Sequence, residues 1–309
     1  MIVPDERYPL WNNSSVESTG MQTDFYTRRS NGADDDEWEK WFCSFETKAA
    51  EPLRKAREGR HLDATDWSAL IDFVGIQCLR TPTAVARFLP HIREGISNGI
   101  NEATKILSSF DAKEKLSYYP KVNSDNDMIP ASITIDREAG EIQTSVIVGK
   151  STSLLAMKMV MDGVAREVLH QNRWGIITCD KNTSWPTSDN PVILLDYYAD
   201  GSYDLEGGWG KKNTEIILPI SPHKAIFTRV KSKLSPRIQC DYDMSKFIKK
   251  IIVENSYRYV FNNCEDQDIP IIRRRTVDKL LFLEVSKQME KMHQNYLENE
   301  VPLMDKTSR

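Results

Sequence analysis

The amino-acid order predicts an α+β fold: a helical N-terminal lobe packed on an antiparallel β-meander, with C-terminal helices. Three observations carry this. Apolar residues recur at three- and four-residue steps between 34 and 115. Short β-branched stretches separated by turn formers fill 118–262. Helical periodicity then returns over 276–299. Helices, then strands, then helices is the order of an α+β chain, whereas a doubly wound parallel sheet alternates the two. The predicted organisation is an irregular segment at 1–33 followed by one domain over 34–309.

The first segment is polar, with Asn12-Asn13-Ser14-Ser15 and Asn31-Gly32 as turn signals and Phe25-Tyr26 as its apolar anchor. Asp34-Asp35-Asp36-Glu37 then loads a first helical turn with negative charge, as the helix dipole prefers. Trp38, Trp41, Phe42, Phe45 and Ala49 keep helical spacing, and Pro52 is placed to kink or end that helix. Asp63 or Thr65 can cap the next helix, which Pro82 should interrupt, and a further helix is expected over 84–108. Ile133-Thr134-Ile135 and Gln143 to Val148 read as strands around Glu138-Ala139-Gly140. Leu154, Met157, Met161, Val164 and Val168 read as one side of a capped helix.

Strand-like pieces follow at Trp174–Cys179, Trp185–Thr187, Val192–Leu195, Glu215–Leu218 and Ala225–Val230, each separated from the next by turn formers. A helix at Asp243–Tyr257 precedes the last one, whose apolar side holds Val277, Leu280, Leu281, Val285, Met289 and Met292.

Hydrophobic content of 40% and charged content of 28% suit a globular chain and exclude a largely disordered one. A net charge of −4 gives no overall basic field for nucleic acid. The basic runs Arg273-Arg274-Arg275 and Arg229 to Arg237 lack interleaved aromatics and read as solvated faces. Five cysteines stand far apart with no Cys-x-x-Cys pair, and Cys43 and Cys78 read as packed thiols in a reducing compartment. No glycine-rich dinucleotide turn, Walker loop, Gly-x-Ser-x-Gly elbow or His-Glu-x-x-His pair is present. The N-terminus carries no charged-then-apolar leader pattern, and no apolar run reaches the ~20 residues that span a bilayer. A cytoplasmic protein without membrane contact is expected.

Two constellations carry chemistry. In Leu70 to Pro82, Leu70, Phe73, Val74 and Gln77 share one helical stripe, and Arg80 lies on its flank. A buried amide or guanidinium without partners costs about 1–3 kcal/mol or more, so something polar meets these two. A bidentate Arg80 clamp on a carboxylate or phosphate, oriented by Gln77, is one reading. An internal pairing of Arg80 with Glu46 is the other. In Thr187-Ser188-Asp189-Asn190-Pro191, Asp189 at a strand end can bind a metal or act as a base, and Asp-Asn-Pro is also a natural turn. His223, after Ser221-Pro222, reads as a loop acid/base or an ordinary turn histidine.

Several pieces together resemble the family called domain of unknown function 4238. They are Phe25-Tyr26-Thr27, Trp38-Glu39-Lys40 leading to Glu46, Phe73 to Pro82, Trp174, Thr187 to Val192, and Leu218-Pro219-Ile220-Ser221-Pro222. Their order spans about residues 20–260. The resemblance implies a mostly bacterial, intracellular protein of mixed helix and sheet with no assigned reaction. The family's opening His-Tyr-Val-Pro-like stretch survives here as Val3-Pro4, with Met1 standing near the His.

The resulting expectation is a polar pocket for an anionic ligand bearing a phosphate or carboxylate, with Gln77, Arg80, Asn190 and Tyr26 around it. One alternative is a metal-dependent phosphoester hydrolase or nuclease, with a divalent cation on Asp189 and Glu46 and Arg80 on the phosphate. The other is a non-catalytic scaffold in which the same polar residues form an internal network. The partner in view is a small anionic ligand or nucleotide.

Overall fold

The computed structural model describes residues 2–15, 19, 28–30, 33–81, 83–85, 87, 91, 94, 95, 97–99, 102, 131–136, 141–146 and 150–287. Of these, 28–30, 33–35, 131–136, 141–146, 150 and 151 are described by backbone alone. The fold is α+β, as the sequence predicts.

Helix α1 (Glu37–Glu58) turns Trp38, Phe42, Ala49 and Leu53 inward. Cys43 lies about 100° from Phe42 around the axis and is exposed, a correction to its reading as a packed thiol. The helix runs through Pro52 and stops at Gly59, whose φ of 75° is the left-handed conformation that glycine adopts without strain. Helix α2 (Ala64–Leu79) opens on a reciprocal capping box: Asp63 accepts from the Asp66 amide at 2.8 Å, and Asp66 accepts from the Asp63 amide at 3.1 Å.

The helical run after the hairpin breaks in two, α3 (Lys150–Asp162) and α4 (Val164–His170). Extended backbone at Gly163 divides them and turns Val164 out to 71% exposure, off the predicted inner side. A side chain at Gly75 of α2 would meet Leu169 at 3.1 Å and Met161 at 3.3 Å, so the missing Cβ lets α2 approach this pair.

The six-stranded sheet contains β6 (Trp174–Thr178), β8 (Ile193–Tyr197), β9 (Tyr203–Asp204), β10 (Glu215–Ser221), β11 (Lys224–Arg229) and β12 (Arg237–Gln239). Its order is β12-β6-β11-β10-β8-β9, antiparallel except for the β12–β6 pair. It is therefore not a simple meander. The segment between β6 and β8 leaves the sheet, because Pro186 and Pro191 lack ladder donors and Trp185 is buried with its indole N–H on Ser245 O at 2.9 Å. Its strand β7 (Thr187–Ser188) pairs instead with β13 (Val260–Phe261). Backbone pairing of β4 (Ala131–Asp136) with β5 (Glu141–Val146) matches the predicted hairpin, whose turn residues lie outside the described residues.

Helices cover both faces of the sheet. Alternate residues of β10 and β11 divide between the layers: Ile216, Leu218 and Ile226 pack with Leu70 and Val74 of α2, while Ile217 and Phe227 pack with α5 (Tyr242–Asn255) through Ile248, Ile251 and Ile252. Burial on both faces explains why Ile216 to Ile220 reads as a continuous apolar run. Each fully buried Ile or Leu contributes roughly 1.5–3 kcal/mol. A third cluster joins α1, α2 and α3 through Phe42, Ile76, Leu154 and Met161.

The opening strand β1 (Ile2–Val3) pairs in parallel with β14 (Thr276–Val277), and the Asp5 and Glu6 carbonyls accept from Arg275 at 2.8 and 2.7 Å. Residues 276 and 277 are thus strand, and the last helical stretch is described from 279 to 287. Leu280, predicted to face inward, is 80% exposed there. The helix expected over 84–108 and residues 288–299 lie largely or wholly outside the described residues. Among the described residues no helix is long and apolar enough to cross a membrane.

Candidate functional site

Gln77 occupies the buried stripe of α2 and is 7% exposed. Its side-chain oxygen accepts from Arg80 Nε at 3.2 Å, and Arg80 Nη1 donates to Glu46 of α1. The internal pairing foreseen for Arg80 is therefore present. Burial and the Glu46 carboxylate push the neighbouring Glu39 carboxyl up from its ordinary value, against the pull of Arg80. The Gln77 carboxamide nitrogen makes no hydrogen bond with any described residue. Because the oxygen is held by Arg80, the free end of the amide is its N–H2 donor.

The second constellation is a clamp. The Asp189 carboxylate accepts from the amides of Tyr257, Arg258 and Tyr259 at 2.9, 2.7 and 3.1 Å. Asn190 Nδ2 donates to Asn255 O at 3.0 Å, and Asn255 Nδ2 donates back to Asn190 O at 2.8 Å and to Val192 O at 3.0 Å. Arg273 closes the same corner by donating to Ser256 Oγ and Tyr257 O; burial lowers its guanidinium pKa, with the Asp189 charge opposing. This part of the basic run at 273–275 holds main chain in place.

The two constellations meet through Thr81, which donates to Asn190 Oδ1 at 3.3 Å. Two hollows flank that junction. The larger, about 190 Å³, lies between α1, α2 and the sheet. Leu53, Phe73, Pro191, Leu218, Pro219 and Ile220 form its apolar walls, and Gln77 and Arg57 supply its polar groups. The smaller, about 40 Å³, is lined on its polar side by Cys78, Thr83, Arg87, Asn190 and Asn255. Burial pushes the Cys78 thiol up to about 12, with a Trp209 hydrogen bond and the Arg87 charge opposing. Thr83 Oγ1 is buried there without a described partner.

Of the predicted residues, Gln77 lines the larger hollow and Asn190 the smaller. Glu46 and Arg80 stand behind Gln77, and Asp189 turns its carboxylate to residues 257–259. Tyr26 lies outside the described residues.

A protein-family model described as "Protein of unknown function (DUF4238)" matches residues 3–266. The chain belongs to the DUF4238 family. No curated protein and no solved structure matches it. Three of the six stretches that carry the resemblance share one place: Phe73 and Gln77, Pro191, and Leu218 to Ile220 are walls of the 190 Å³ hollow.

Arg57 is the polar wall that sequence reasoning misses. It sits in the last turn of α1, where a basic residue is ordinary. The α1 terminus is gripped through its main chain: Lys224 Nζ donates to Arg57 O at 2.7 Å and Ala56 O at 3.4 Å, and Arg237 Nη2 donates to Gly59 O at 3.1 Å. The Arg57 guanidinium itself makes no hydrogen bond or ion pair with any described residue.

Elsewhere in this DUF4238 chain, exposed His223 places Nδ1 3.4 Å from Cys179 Sγ, and burial raises the Cys179 pKa. Asp72 of α2 accepts from Arg166 of α4 at 2.7 and 2.8 Å and contacts His170 Nε2 at 2.8 Å. Among the described residues no three His, Cys, Asp or Glu side chains are grouped to hold a metal ion.

Proposed function

We propose that this DUF4238 protein binds a small anionic ligand in the 190 Å³ hollow between α1, α2 and the sheet. One observation carries the reading: stretches far apart in sequence, three of them among those that carry the family resemblance, wall a hollow bordered by two donors without described partners, the buried Gln77 amide and the exposed Arg57. Those donors are the Arg57 guanidinium and the Gln77 carboxamide nitrogen. The Gln77 nitrogen opens onto the hollow, where a ligand acceptor can take the place of water. Arg80 and Glu46 then serve as the support that fixes the Gln77 rotamer.

A phosphoester hydrolase built on Asp189 and Glu46 would need carboxylates open to a metal ion, and both already accept protein donors. The binding reading uses the groups that have no such engagement.

A panel of small anions, scored by ligand-observed NMR against the full chain, tests the proposal. Hits are expected to weaken at least tenfold in Arg57→Ala, since a hydrogen bond to a charged group contributes about 1.5–3 kcal/mol. They are expected to keep their affinity in Arg54→Ala, a surface control whose partners are Glu51 and Glu58. Hits that bind Arg57→Ala as tightly as the parent overturn it.

A further inference from the structure

We infer that the ligand class is a monocarboxylate on a compact apolar body, such as an arylalkanoate or a branched aliphatic acid, and not a phosphate ester or nucleotide. This rests on the binding reading above and narrows it.

Charge is the first argument. One charged residue, the exposed Arg57, lines the hollow; the nearby Arg80 is matched by Glu46. A carboxylate brings one negative charge, which one guanidinium balances. A phosphate monoester brings about −1.5 to −2 and would leave an excess in a partly apolar site.

Helix direction is the second. Phosphate sites favour helix N-termini, where amide N–H groups and the positive dipole end point at the anion. Here α1 ends at Glu58 and α2 at Leu79, so Arg57 and Gln77 both stand in last turns. Neither helix turns its N-terminus to the hollow, so its described lining offers no amide cradle for a phosphate.

Donor shape and size complete the case. A guanidinium fork and a carboxamide N–H2 match the two oxygens of a carboxylate. An apolar cavity of about 150 Å³ accepts benzene, and pockets for drug-sized ligands begin near 300 Å³. At about 190 Å³, this hollow suits a ring or a branched chain.

The test uses the full chain and four probes in isothermal titration: 3-phenylpropionate, 3-phenylpropionamide, phenyl phosphate and AMP. 3-Phenylpropionate is expected to bind, with the amide and phenyl phosphate at least tenfold weaker and AMP silent. Arg57→Ala is expected to lose at least tenfold for the carboxylate. Gln77→Glu, which replaces the donor with a second negative charge, is expected to do the same, with circular dichroism unchanged in both. Arg57-dependent binding of phenyl phosphate or AMP as tight as that of the carboxylate overturns the class and leaves the anion site standing. Silence from all four probes, or binding indifferent to Arg57→Ala, overturns both.

Discussion

Replacing Asp189 with alanine separates a clamp from a reactive group. The carboxylate accepts three main-chain amides from one short loop, Tyr257 to Tyr259, at 2.7–3.1 Å. A hydrogen bond to a charged group contributes about 1.5–3 kcal/mol, which for three independent bonds would sum to roughly 5–9 kcal/mol. The bonds share one carboxylate, and the amides lie near solvent, where water replaces part of what is lost. A net loss of about 2–4 kcal/mol is therefore expected. That is a large fraction of the ~5–15 kcal/mol that holds a typical domain folded. Asp189→Asn should fall between, because its oxygen still accepts but carries no charge. Urea unfolding followed by tryptophan fluorescence measures the loss, and amide exchange at 257–259 localises it. A loss under about 0.5 kcal/mol with unchanged exchange at those amides would refute the clamp and return Asp189 to the list of chemical groups.

Two further outcomes follow from the same geometry. Burial pushes the Asp72 carboxyl up, but hydrogen bonds from Arg166 and His170 outweigh it and hold the pKa below its ordinary value. A carboxyl lowered on folding contributes stability that is complete above its unfolded value, near 4, and is lost as pH falls through the lower folded one. Thermal melts should show Asp72→Asn less stable than the parent at pH 7, with the gap closing below about pH 4; a gap that stays constant down to pH 2 argues against this. Glu46→Gln should cost under about 1 kcal/mol, because both side chains of its pair with Arg80 are partly exposed, and should leave ligand affinity within twofold. A tenfold affinity loss there would place Glu46 at the ligand.

Much of this architecture is legible locally. The Asp63 cap, the strands near 174–178 and 215–230 and the helix at 242–255 follow from spacing and turn residues within a few positions. What spacing cannot carry is pairing across long separations. β6 neighbours β11 and β12 rather than β8, because the crossing segment buries Trp185 beside α5. The polar stripe residue Gln77 correctly marks a special place, and Arg80 finds the predicted Glu46. The Asp189 partners stand 68 to 70 residues away, beyond any local signal. Arg57 looks like any basic residue ending a helix, and only the folded neighbourhood reveals that it borders the hollow.

The joint between α1 and the sheet reads carbonyl oxygens, through Lys224 and Arg237, and ignores what side chains α1 carries in that turn. Substitution at 57 can therefore change the charge at the rim of the hollow while the joint keeps its shape. Surface chemistry in that turn and the seating of the helix on the sheet are thus separately adjustable.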